Sequence, residues 1–272
     1  MFFTTENVRQ LALDALNRCA PDFRPLDTAE ATLASFPWKK FIGSQISDQA
    51  ELSRLNLELD PKGCLGRVAL CFAIIEKHFP AEFERFEYGE VTVDWFWLKL
   101  MKQWKDHYDP ALTPLPEGWV DELLMYEEPH GVVVGKGGYQ FDPLSVLMVG
   151  QQVWHPGAFT YEPWPAITSA MFVSQSLLAQ NPLEKLRLLR EAESACPGTC
   201  LVKQNRVLPL TMIGCNVEAA GILRNLASVR PSARLFFVLE TLFGEKHEAC
   251  RKIYGDRLWS ILRSRLEMEV SP

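Results

Sequence analysis

The stretch "PHGVVVGKGGYQFDP", residues 129–143, decides the fold. Three valines precede a glycine-rich break, and a second short apolar run closes on Asp142 and Pro143. β-branched and aromatic residues on either side of such a break favour an antiparallel hairpin over a helix. A three-residue loop at Gly135, Lys136 and Gly137 would place His130 directly opposite Asp142. Opposed residues share a face with Cβ atoms ~4.5–5.5 Å apart, so an imidazole and a carboxylate there can hydrogen-bond. A two-residue loop would shift the register by one and send them to different faces. The GKGG string leads into a strand rather than a helix, so it is a turn and carries no phosphate-loop logic.

Working outward, the chain has 272 residues, 47% of them hydrophobic, and a formal charge of -6. That suits a globular protein with a sizeable core, either one large domain or two unequal ones. The acidic balance, with no basic cluster, argues against nucleic acid as a partner. The longest purely apolar run, 68–75, is far short of the ~20 residues that cross a bilayer, so no membrane span is expected. Glu6, Arg9 and Asp14 interrupt the N-terminal stretch, which reads as a helix and not as a leader. Seven cysteines, an odd number scattered through the chain, suit a reducing compartment, and the expected location is the cytoplasm.

Thr4 or Thr5 can cap a first helix with Val8, Leu11, Ala12, Ala15 and Leu16 on one face. "DPKGCLGRVALCFAIIEKHFP" supplies punctuation and then a helix so apolar that it must be buried, Cys71 with it. A short strand is expected at 87–93, a Trp-rich helix at 94–104 and a proline-rich linker at 110–119. The Pro and Trp content of 159–165 predicts an irregular loop. Asn181, Pro182 and Glu184 open a further helix, and later ones are expected at 217–226, 232–243 and 256–268. The fold class expected is α+β, with a first domain over 1–165 and a helical C-terminal region over 166–272.

A histidine held by a carboxylate is the orienting half of a nucleophilic triad. Cys64 is the candidate nucleophile, because Gly63 precedes it and the apolar helix starts at it. Unpaired N–H groups and the positive end of a helix favour a thiolate there. Cys64 in "GCLGRVA", His130 on one hairpin strand and Asp142-Pro143 on the next resemble the bacterial transglutaminase-like branch of the papain-type cysteine enzymes. The resemblance covers about the middle third of the chain. It implies Cys64 as nucleophile, His130 as base and Asp142 as orienting residue, no cofactor, and a protein or peptide substrate. Gly131 stands where that family more usually has Ala, and a Trp-rich segment is inserted between the Cys and the His.

Plainer readings stand beside this one. His130 and Asp142 can be a structural cross-strand pair, and a helical scaffold protein can keep the core without its chemistry. Glu128, on the His130 face, could complete a Glu/His/Asp metal set, though a second His at ligand spacing is missing. Cys196 and Cys200, with His247 and Cys250, are too loosely spaced for a persuasive zinc site. Trp95, Phe96, Trp97 and Trp104 read as core, some of them lining a groove, while His78, His107 and His155 read as surface or loop residues.

Overall fold

The computed structural model describes residues 3–38, 64–91, 130–143, 146, 158–229, 232–244 and 248–270. Of these, the side chains of 19, 64, 248–253, 269 and 270 are outside the description. The chain forms two compact units, one from 1–91 with 130–209 and the other from 92–129 with 210–272. It is mixed α and β, mostly helical, with a small four-stranded antiparallel sheet.

In the first unit, helix α1 (Thr5–Cys19) starts where the Thr4 side chain accepts from the Asn7 N–H, as its capping position requires. Helix α2 (Ala29–Ser35) is capped in the same way by Thr28. Helix α3 (Cys64–His78) is the centre of the core, and every residue from Val68 to Ile75 is fully buried. That stretch therefore has no polar face to show solvent, as its composition requires. A 3-10 turn (Pro80–Arg85) leads to strand β1 (Phe86–Val91). Strands β2 (His130–Gly135), β3 (Tyr139–Phe141) and β4 (Phe159–Tyr161) complete a sheet of order β3-β2-β1-β4. Phe86, Tyr88, Val133 and Phe141 share one face, which packs with α3 in a single hydrophobic cluster.

The loop expected at 159–165 is corrected by the structure. Phe159–Tyr161 pairs with β1, and helix α4 (Pro163–Leu178) begins immediately after it. Proline is tolerated in a first helical turn, where its missing N–H has no partner to lose. The division drawn at 165 thus falls inside α4, whose Trp164, Ala166, Ile167, Ala170 and Met171 belong to the α3 cluster. Helix α5 (Pro182–Ala195), capped by Asn181 as expected, packs on α4, and helix α6 (Cys200–Met212) follows a turn at Gly198. A polar clamp joins three helices: Glu76 of α3 accepts from the Arg9 guanidinium of α1 and from Trp164 Nε1 of α4.

Ser169 on α4 is almost fully buried, and its hydroxyl has no hydrogen-bond partner among the described residues. A buried hydroxyl without a partner costs more than a methyl-sized side chain. Ser169→Ala is expected to raise the unfolding free energy by about 1 kcal/mol. Urea denaturation at equal m-value checks this, and a lowered midpoint would contradict it.

In the second unit, helices α7 (Asn216–Val229), α8 (Ala233–Phe243) and α9 (Glu248–Val270) follow in order, α9 bent at Gly255. Ser232 caps α8, and Phe236, Phe237, Tyr254, Leu258, Trp259 and Leu262 form a core of their own. These helices match the three expected from the sequence, α7 and α9 running longer than their apolar patterns and α8 starting one residue later, after its cap. The Trp-rich helix expected at 94–104 and the linker at 110–119 lie outside the described residues.

Candidate active site

The β2–β3 hairpin turns on Lys136, Gly137 and Gly138, with both glycines at φ of +88°. That left-handed backbone is open to glycine without a Cβ penalty. Gly135 remains in the ladder opposite Tyr139, so Val133 faces Phe141 and Val134 faces Gln140. The expected register is corrected by this: the turn lies one residue later, and His130 is not directly opposite Asp142. A slip of one position in the turn moves the pairing by two. Because the side-chain period of a strand is also two, both residues keep their face.

They meet diagonally instead. His130 opens β2, Asp142 follows β3 at the same end of the sheet, and Nε2 of His130 lies 3.0 Å from Oδ1 of Asp142. The Asp142 side chain is 3% exposed and that of His130 14%, so both are largely shielded from solvent. An ionised carboxylate only accepts, so Nε2 is the donor, and Nδ1 on the opposite edge of the ring carries the acceptor lone pair. The Asp142 carbonyl accepts from the Val146 N–H, which turns the chain away directly after the acid.

Helix α3 packs against β2 and carries Cys64 as its first residue, with the amide groups of its opening turn beyond the reach of intrahelical acceptors. The Cys64 side chain lies outside the described part of the structure. Two turns along, Cys71 is fully buried, and burial first, then the nearby Asp142 carboxylate, pushes its thiol well up from the ordinary range. The same influence places the Asp142 carboxylate within electrostatic reach of Cys71 on α3. Burial and then the carboxylates of Glu90, Glu162 and Glu193 push the Cys196 thiol up to about 11. Both thiols are therefore held protonated and unreactive at neutral pH. At pH 7, a thiol alkylating reagent is expected to label exposed Cys215 and to leave Cys71 and Cys196 unmodified until the chain is denatured. Peptide mass spectrometry reads the pattern directly, and native labelling of Cys71 would contradict it.

Several other sequence-based expectations find their place here. Glu128, Trp95, Phe96, Trp97, Trp104, His107, His155 and His247 lie outside the described residues, as does the side chain of Cys250. Among the described residues no group of three or more His, Cys, Asp or Glu side chains is arranged to hold a metal ion. His78 is corrected from surface to half-buried: it packs edge-on against Phe23, and burial followed by Lys77 lowers its pKa.

One residue near the site escaped sequence reasoning. Glu90 on β1 is 2% exposed, and its carboxylate accepts from the N–H groups of Cys200 at 2.9 Å and Leu201 at 3.4 Å. It caps the positive end of α6 from a strand, a favourable position for an anion. The one signal available was its spacing in "FEYGEV", which places an acid at the same parity as inward Phe86 and Tyr88. Comparison of the chain with protein-family models, curated proteins and solved structures finds no match.

Proposed function

We propose that the protein is a thiol-dependent acyl-transfer enzyme acting on an amide or ester, with Cys64 as nucleophile, His130 as base and Asp142 as orienting residue. The observation that carries this reading is the buried Asp142 carboxylate on Nε2 of His130, at the end of a sheet packed on the helix that Cys64 opens. Nδ1 takes the thiol proton as sulfur bonds to the substrate carbonyl carbon, and the carbonyl electrons move onto oxygen. The Cys64 backbone N–H donates to that oxyanion. When the tetrahedral species collapses, the imidazolium returns the proton to the departing amine or alcohol, and a thioester remains. Water or an amine then attacks, His130 taking and returning a proton in the same way, and the thiol is released. Release by water makes a protease, amidase or deamidase, and release by an amine makes a transferase of the transglutaminase type.

The reading is tested by the rate of alkylation at Cys64 across pH in the wild type and in His130→Ala, with labelling located by mass spectrometry. Reactivity persisting well below the ordinary thiol pKa of ~8.5, and lost in the variant, is the expected result. A Cys64 that is inert, or indifferent to His130, would overturn it. The lead would then pass to the scaffold reading, which draws on helices α7 to α9, for which this chemistry has no use.

A further inference from the structure

A β-carbon placed on Gly131 would stand 2.7 Å from Tyr88 Oη, 2.9 Å from its Cε2 and 3.0 Å from its Cζ. Folded chains do not sustain such separations, so the tyrosine occupies space that any other residue at 131 would need. Tyr88 is buried in the cluster around α3, and its ring has little room to retreat. The contact falls one residue after His130.

Strand register makes that position matter. The β2–β3 ladder covers only Val133, Val134 and Gly135, and Asp142 lies one residue past the end of β3. By contrast β1 pairs with the whole of β2, Val91 facing His130 and Glu90 facing Gly131. Among the described strands, β1 alone therefore holds the end of β2 that carries the imidazole. It is itself anchored, because Glu90 is tied to the start of α6.

We infer that Tyr88 is a positioning residue for His130: its ring fixes the height of β2 at Gly131, and through the adjoining peptide the seat of the imidazole against Asp142. This rests on the reading of His130 as the base for Cys64. Tyr88 and Gly131 then form one unit, and a side chain at 131 requires a smaller partner at 88. A contact that merely filled the core would affect stability and leave the chemistry of Cys64 alone.

The experiment measures iodoacetamide alkylation of Cys64 across pH in the full chain, with circular dichroism as the check on folding. Four proteins are compared: wild type, His130→Ala, Gly131→Ala, and Gly131→Ala combined with Tyr88→Leu. Gly131→Ala is expected to move the midpoint of reactivity up by about one pH unit, tenfold in reactive thiolate below the midpoint, and Tyr88→Leu to recover most of it. A wild-type profile in Gly131→Ala, while His130→Ala differs, would overturn the inference and leave the base reading standing. So would a shift that Tyr88→Leu does not relieve. Identical profiles for wild type and His130→Ala would remove the base reading and the inference with it. Should Gly131→Ala not fold, Tyr88→Phe, which deletes the atom nearest Gly131, serves in its place. A midpoint raised by that change supports the assignment, and an unmoved one overturns it.

Discussion

Asp142→Asn is expected to slow turnover of an activated ester by about 10⁴-fold, and Cys64→Ala to eliminate acyl-enzyme formation altogether. The first effect is a matter of tautomer. As a carboxylate, Asp142 can only accept, so it holds the proton on Nε2 and keeps the Nδ1 lone pair available. An asparagine of nearly the same shape can turn its amide N–H toward Nε2, which stabilises the opposite tautomer and places the proton where the thiol proton should go. Because the substitution is close to isosteric at a buried site, folding is expected to survive, and the loss should appear in kcat. Burst kinetics with p-nitrophenyl acetate separates acylation from release. Wild-type rates in Asp142→Asn would show that the pair is structural only, and undiminished turnover in Cys64→Ala would remove the nucleophile assignment.

Phe72→Ala should lower the unfolding free energy by about 3–5 kcal/mol. Phe72 lies at the middle of α3, fully buried, with the rings of Phe83 and Trp164 edge-on to it at 6.3 and 6.4 Å between centroids. Truncation removes its transfer free energy and leaves a cavity among three elements whose spacing other contacts fix. Trp164 cannot slide inward without giving up its hydrogen bond to Glu76, so the space does not close cheaply. Leu177→Ala, at a half-exposed position near the end of helix α4, is the control and should cost under about 0.5 kcal/mol. Chemical denaturation distinguishes the two, and a Phe72→Ala penalty below that of Leu177→Ala would show that the α3 core is not the stabilising centre.

What the sequence disclosed about this molecule depended on how local each signal was. Helix α3 was legible because a run such as "VALCFAII" has only one comfortable place, inside. The hairpin was legible too, yet its register was not, since GKGG offers more than one three-residue loop and composition does not say which glycines take positive φ. His130 and Asp142 share a face in either register because moving the turn by one residue shifts the pairing by an even number. Pro163 and Trp164 point to a loop by composition, although a proline in the first helical turn is a start signal as much as a break. The contact of Tyr88 with Gly131 and the burial of Glu90 depend on tertiary neighbours, and no local pattern encodes them.

The strand acid that caps α6 also bears on the order in which the chain assembles. Its two amide partners are 110 and 111 residues away, so during synthesis the sheet acquires Glu90 long before anything exists to receive it. Contacts of such separation are slow to form, and a buried charge without its partners is strongly destabilising. A fragment ending before residue 200 would have to keep that strand wet, splayed and open to proteases. Completion of the sheet is in this way made conditional on arrival of helix α6.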